Sequence, residues 1–87
     1  MMDVFKTIRY PVMTEVTSRL LEAENKLVFM VNKDATKRDI KMAVEMLYDV
    51  AVDNVTSMIT SDGEKKAFVK LSPDYKAADV AIKLGIL

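Results

Sequence analysis

Four basic residues crowd one short stretch of the sequence, at the start of a segment with helical periodicity. They are Lys33, Lys37, Arg38 and Lys41. A helix start carries a partial positive charge and prefers acids, so this arrangement does not stabilise the helix itself. Basic side chains beside free N–H groups instead suit an external anion such as a phosphate. The alternative is a solvated face on which Asp34 and Asp39 offset two of the four bases.

A second basic group lies near the end of the chain, where three bases and no acid occur between Lys65 and Leu71. Lys66, Phe68 and Lys70 alternate, so on a strand they share one face and place a ring between two cations. One interpretation is that the lysines contact phosphates while the ring stacks on a base or packs against a sugar. The other is that Phe68 lies under a helix and the lysine stems reach out to solvent.

Side chains suited to catalysis are scarce. The 87 residues include no Cys and no His, which excludes thiol chemistry, disulfides, zinc sites of the usual ligands and imidazole triads. With only two glycines there is no glycine-rich phosphate loop. We therefore expect no enzyme activity, no metal and no cofactor.

Length and composition predict one globular domain over residues 1–87, of which 51% are hydrophobic. The formal net charge is zero, which taken alone argues against a nucleic-acid-binding protein. Binding to a polyanion must therefore depend on how the charges are segregated along the chain. The lack of Cys, of a signal-like start and of any apolar run near ~20 residues predicts a cytoplasmic protein without membrane insertion.

A helix from Thr36 to Tyr48 must position the first basic group. Either Asp34 or Thr36 can cap its start. Met42 and Met46 point away from its apolar stripe, either as an adaptable contact surface or under another part of the chain. The stripe has the i, i+3, i+4, i+7, i+8 spacing of one helix face. Its residues are Ile40, Ala43, Val44, Leu47 and Tyr48.

An antiparallel hairpin must position the second basic group. Its predicted strands run from Val52 to Thr60 and from Lys65 to Leu71, and Gly63 supplies a positive φ in the turn between them. The segment from Lys26 to Val31 is apolar on both faces, which is typical of a central strand covered on both sides.

The remaining segments complete the predicted fold. An edge strand runs from Phe5 to Tyr10, and a helix capped by Thr14 runs to Glu24 and stops at a left-handed Asn25. That helix has an apolar stripe of Met13, Val16, Leu20 and Ala23. A last helix starts at residues 72–74, with Pro73 in its first turn, and ends at Gly85; its stripe is Ala77, Val80, Ala81 and Leu84. The order β-α-β-α-β-β-α predicts an α+β fold, a small α/β sandwich whose mostly antiparallel four-stranded sheet carries helices.

Five stretches of the sequence together resemble a known family. They read YPVMTE, NKLVFMV, DATKRDIKMAVEMLYDV, GEKKAFVKLS and DVAIKLGIL, and they cover nearly the whole chain. In these stretches the chain resembles the large-subunit ribosomal protein twenty-three family, in its short archaeal-type form. The third and fourth stretches are highly specific when they occur together.

The resemblance implies a structural protein of the large ribosomal subunit that binds large-subunit ribosomal RNA at the rim of the polypeptide exit tunnel. It also implies neighbouring ribosomal proteins, the signal recognition particle and the protein-conducting channel as partners, with a monomer when the protein is free. Glu15 matches the factor-docking glutamate of bacterial relatives. We expect RNA contacts from Arg9, Lys37, Arg38, Lys41, Lys65, Lys66, Phe68 and Lys70.

Three features depart from the family or favour another function. Val16 follows Glu15 where the family usually has Lys, and an acid in the first turn of a helix is also expected on dipole grounds alone. The short loop around Gly63 predicts no extension into the tunnel. The zero net charge and the Met42 and Met46 pair favour the alternative, a small protein-interaction or ligand-sensing module that does not bind RNA.

Overall fold

The computed structural model describes residues 2–86, which form a four-stranded antiparallel sheet with helices packed on one face. The strand order is β1-β2-β4-β3. The predicted α+β fold and the order of its elements are confirmed, with one added helical turn at the start. The elements are α1 (Val4–Thr7), β1 (Ile8–Pro11), α2 (Glu15–Glu24), β2 (Lys26–Val31), α3 (Lys37–Tyr48), β3 (Val52–Ile59), β4 (Lys65–Leu71) and α4 (Ala77–Lys83).

The core lies between the sheet and the helices, and β2 is its central strand. Phe29 of β2 is fully buried in this core together with Ile40 of α3 and Val80 of α4. Val28 and Met30 alternate with the core residues and therefore face the other side of the sheet, where they are 3% and 5% exposed. The predicted burial of both faces of β2 is confirmed, although helices cover only one of them over residues 2–86. We call the other side the helix-free face.

The predicted first strand begins too early. One turn of helix, Val4–Thr7, precedes the strand, and the Asp3 side chain caps this turn by accepting a hydrogen bond from Phe5 N–H at 2.9 Å. Thr7 is fully buried, and its hydroxyl donates to the Asp3 carbonyl at 2.9 Å. These local side-chain bonds favour a helical turn over an extended chain, so the strand is confined to Ile8–Pro11.

Helix α2 has the predicted bounds and cap but a different buried face. Thr14 caps it in a reciprocal capping box with Thr17. The predicted stripe is wrong because Val16 is 64% exposed, while Thr17 and Leu21 are the buried residues. The hydroxyl of Thr17 is satisfied by Thr14 N–H at 2.7 Å, so a polar residue can occupy a position where the sequence pattern favours an apolar one.

Helix α4 starts later than predicted because a distant side chain caps it. Residues 72–76 form a turn, in which Tyr75 N–H donates to the Ser72 carbonyl at 2.9 Å. The Asn25 side chain accepts from Ala77 N–H at 2.6 Å, which fixes the helix start at Ala77. Asn25 itself has the predicted left-handed conformation at the end of α2, with φ of 56°. The predicted left-handed end of α4 at Gly85 is also confirmed, with φ of 76°.

Helix α3 follows its predicted pattern closely. Thr36 is the N-cap, rather than Asp34, and it forms a capping box with Asp39. Three residues of the stripe, Ile40, Ala43 and Val44, are buried. Tyr48 stacks on Phe29 with ring centroids 5.8 Å apart, whereas Leu47 lies at the margin and is 36% exposed.

We expect Thr36→Ala to lower the free energy of unfolding by about 0.5–2 kcal/mol, because it leaves an N–H of the first turn without its partner.

The Asp39 carboxylate accepts from Thr36 N–H at 3.0 Å, and this bond is the main cause that lowers its pKa from 3.8. A lowered folded-state pKa stabilises above the unfolded pKa, and that stabilisation is lost as pH falls through the folded value. The stability gap between wild type and Asp39→Asn in urea should therefore shrink in acid. A gap of constant size would contradict this account.

Candidate nucleic-acid interface

Three of the four bases of the first group line a cleft between the start of α3 and the edge strand β3, whereas Lys33 lies near the hairpin turn at Gly63. Lys37, Arg38 and Lys41 are all exposed, and they share a cleft of about 210 Å³ with Asp53 and Asn54. Because the three bases lie within the first turns of α3, they stand near its positively polarised end. An external anion is attracted to both the side chains and the helix end, and the Asp53 carboxylate is the one acidic group lining the cleft.

The cations of this cleft are not used in ion pairs among residues 2–86. The ion pairs there join Arg9 to Glu64, Arg19 to Glu15 and Lys26 to Glu24. Asp39, which the sequence offered as a charge partner for the bases, instead directs its carboxylate to Thr36 N–H. The basic side chains are therefore left available to an outside partner.

Two of the three bases of the second group, Lys66 and Lys70, lie on the helix-free face, as the alternation predicted. In the register of β3 and β4, Lys66 lies opposite Met58, Phe68 opposite Thr56, and Lys70 opposite Asn54. Phe68 is half-buried and lies outside the helix-side core, so the interpretation that placed it under a helix is wrong.

Asn54 joins the two basic groups. It lies opposite Lys70 in the sheet and also lines the cleft beside Lys37, Arg38 and Lys41. The edge strand β3 therefore lies between the two groups, and Asn54 borders both of them. We call the five cations on either side of this strand the β3-edge bases; they are Lys37, Arg38, Lys41, Lys66 and Lys70.

Two other residues that we expected to contact RNA, Lys65 and Arg9, already have partners within the fold. Lys65 faces the helix side of β4, where its Nζ donates to the Ala35 carbonyl at 2.6 Å. Arg9 forms an ion pair with Glu64 at 3.3 Å, and its guanidinium lies 5.6 Å from the centroid of the Tyr10 ring. Unlike the β3-edge bases, Lys65 and Arg9 therefore already have partners among residues 2–86.

Glu15 lies on a separate surface, in the first turn of α2. Its carboxylate accepts from Arg19 at 3.0 Å, and the two side chains are 83% and 75% exposed. The neighbouring Val16 is 64% exposed. An acid here matches the helix dipole, and it is also displayed openly beside an apolar side chain that the core does not use.

Sequence reasoning missed three residues that border these surfaces: Tyr10, Asn54 and Met58. Pairing outward from the turn at Gly63 would have placed Asn54 and Met58 opposite Lys70 and Lys66, because residues on one strand face alternate. Tyr10 is reached only through the register of β1 with β2, which has an irregularity between Ile8 and Tyr10.

The predicted pair of exposed methionines on α3 is reduced to one. Met46 is 66% exposed, whereas Met42 is half-buried. In the described part of the chain, no three His, Cys, Asp or Glu residues are placed to hold a metal ion. None of the helices over residues 2–86 has the length and apolar character that crossing a membrane demands.

Known proteins are similar to this chain over nearly its whole length. A family model described as Ribosomal protein L23 matches residues 6–85. The large ribosomal subunit protein uL23 of Methanococcus aeolicus is 49% identical over 85 residues, which are 98% of this chain and 99% of that protein. Its counterpart from Methanococcus vannielii is 47% identical with the same coverage. The chain therefore belongs to the ribosomal protein L23 family, in its short archaeal form, as the resemblance predicted.

Proposed function

We propose that this chain is a structural, non-enzymatic component of the large ribosomal subunit that attaches to large-subunit ribosomal RNA. The observation that carries the proposal is that five bases border strand β3 on its two sides and that none of them is in an ion pair among residues 2–86. Family membership supplies the context, because both relatives are named as large-subunit proteins.

The mechanism is electrostatic attachment to folded RNA. Lys37, Arg38 and Lys41 hold phosphates in the α3–β3 cleft, and Lys66 and Lys70 hold phosphates on the helix-free face. Recognition depends on the shape and backbone of the RNA more than on base sequence, because A-form helices hide their base edges. Phe68 adds a stacking surface, while Lys65 and Arg9 contribute less because they already have partners.

Filter binding to large-subunit ribosomal RNA at a series of salt concentrations tests the proposal. The logarithm of the binding constant should fall linearly with the logarithm of the salt concentration. The slope should be roughly −0.7 to −0.9 for each phosphate contact. Small-subunit ribosomal RNA at the same concentration serves as the control and should bind more weakly. Affinity that is independent of salt, or equal for the two RNAs, would overturn the proposal.

The subunit would place this protein at the rim of the polypeptide exit tunnel, beside neighbouring ribosomal proteins. There it would help to dock the signal recognition particle and the protein-conducting channel. Support comes from the exposed side chains of Glu15 and Val16, which lie on α2 and away from the β3-edge bases. RNA and a docking factor could therefore bind at the same time.

We expect Glu15→Ala to leave incorporation into the large subunit intact and to lower the affinity of signal recognition particle for the ribosome. The carboxylate is exposed, so its loss should cost little stability, while its charge and hydrogen bonds to a factor would be removed. Glu22→Ala is the matched control, since Glu22 is exposed on the same helix. Equal factor affinity for all three proteins would leave Glu15 with its helix-start role only.

The alternative, a protein-interaction module that does not bind RNA, keeps one supporting observation in the exposed side chain of Met46. We propose instead that the free protein is a monomer. Analytical ultracentrifugation of RNA-free protein should show a single species at the monomer mass of 9.8 kDa. Stable self-association would favour the interaction module.

A further inference from the structure

The helix-free face carries two aromatic rings that the core does not use. Tyr10 of β1 is 47% exposed and pairs with Met30 of β2, which in turn pairs with Lys66 of β4. Phe68 lies one row further along, between Val28 on one side and Thr56 on the other. Flat rings on one sheet face, with lysines around them, provide stacking surfaces within reach of phosphate-binding groups.

A cavity of about 400 Å³ opens on this face at the Tyr10 end of the sheet. Its lining includes the apolar side chains of Tyr10 and Met30 and the charged side chains of Lys66, Asp62 and Glu64. The Arg9 guanidinium, which is in an ion pair with Glu64, lies 5.6 Å from the centroid of the Tyr10 ring.

We infer that this face binds unpaired nucleotides of RNA, with one base stacked on Phe68 and a second base against Tyr10 in the cavity. Lys66, which shares a row of the sheet with Tyr10 and a strand with Phe68, contacts a phosphate of the same segment. The inference rests on the proposed attachment to ribosomal RNA and names the form of RNA that this face takes.

The spacing of the rings favours unpaired over paired RNA. Tyr10 and Phe68 lie two strands apart, which is on the order of 10 Å across a sheet. Neighbouring bases stacked in a duplex are separated by only about 3.4 Å along one strand and show no free faces. Bases that reach both rings must therefore be splayed apart, as they are in loops, bulges and ends.

The charges of the face favour entry of the base rather than the phosphate into the cavity. Carboxylates of Asp62 and Glu64 in the lining repel a phosphate, whereas an uncharged base meets the apolar surface of Tyr10 and Met30. The phosphate then lies toward Lys66, which is on strand β4 together with Lys70. A nucleotide can therefore place its base in the cavity and its phosphate beside Lys66.

Footprinting on large-subunit ribosomal RNA separates base contacts from backbone contacts. Base-specific reagents that together modify all four bases report unpaired bases, and hydroxyl radicals report the backbone. Wild type should protect both. Phe68→Leu keeps an apolar side chain but removes the ring, so it should restore base reactivity and weaken binding about tenfold while the backbone footprint persists at saturation. Tyr10→Leu should restore reactivity at a second base.

Ile82→Leu on α4 is the matched control, since Ile82 is 59% exposed on a helix away from this face. It should leave both footprints unchanged. Protection of the backbone without any base, or base protection that survives both Phe68→Leu and Tyr10→Leu, would overturn this inference and leave the proposed function standing. The absence of any footprint from wild type would overturn both.

Discussion

Lys37→Glu combined with Arg38→Glu is expected to lower the affinity for large-subunit ribosomal RNA by roughly 100-fold. Both side chains line the α3–β3 cleft without an ion pair among residues 2–86, so phosphates are the partners they would lose. The estimate assigns about 1.5 kcal/mol to each charge-assisted contact, at 1.4 kcal/mol for each tenfold change in affinity. Filter binding at fixed salt measures the change.

The same double variant should also bind with a flatter dependence on salt, because two fewer phosphates release their counterions. Lys76→Glu combined with Lys83→Glu is the matched control. It changes the net charge equally, but at α4, away from the β3-edge bases. Equal losses of RNA affinity in the two double variants would show that net charge alone decides binding, which would contradict a localised interface.

Phe29→Ala is expected to lower the free energy of unfolding by about 3–5 kcal/mol, the largest stability effect predicted here. Phe29 is fully buried on the central strand and stacks on Tyr48 at 5.8 Å, with the rings 7° from parallel. Since small domains have about 5–15 kcal/mol of stability in total, this variant should lose a large share of its stability. Urea denaturation followed by circular dichroism measures the loss.

Met46→Ala is the matched control for Phe29→Ala, because Met46 is 66% exposed on α3 and its truncation should change stability by about 0.5 kcal/mol or less. Burial raises the pKa of the Tyr48 hydroxyl above its ordinary value of 10.0. Phe29→Ala should therefore move that pKa back toward the ordinary value by opening Tyr48 to water. Similar stabilities for Phe29→Ala and Met46→Ala would contradict the assigned core.

The elements that the sequence predicts well are those whose decisive signals are local. The apolar spacing of α3 and the turn at Gly63, where φ is 83°, are each contained in a few consecutive residues. The start of α4 depends on the Asn25 side chain, 52 residues before Ala77 in the chain, so a local pattern cannot reveal it. The buried face of α2 was missed because Thr17 is a polar residue satisfied inside.

The candidate site divides in the same way. Alternation alone predicts that Lys66, Phe68 and Lys70 share a face, and the register confirms it. Lys65 and Arg9 interact with the Ala35 carbonyl and the Glu64 carboxylate, respectively, and only the fold brings these partners near them. That Asn54 borders both basic groups likewise depends on its position at the sheet edge, which only the fold reveals.

The most direct measurement is sedimentation of the protein with ribosomal subunits through a high-salt wash. If the β3-edge bases hold large-subunit RNA, wild type should remain with the large subunit, and the Lys37→Glu and Arg38→Glu double variant should be washed off at lower salt. Wild-type protein that leaves the large subunit as readily as the double variant, or that follows the small subunit, would contradict the account.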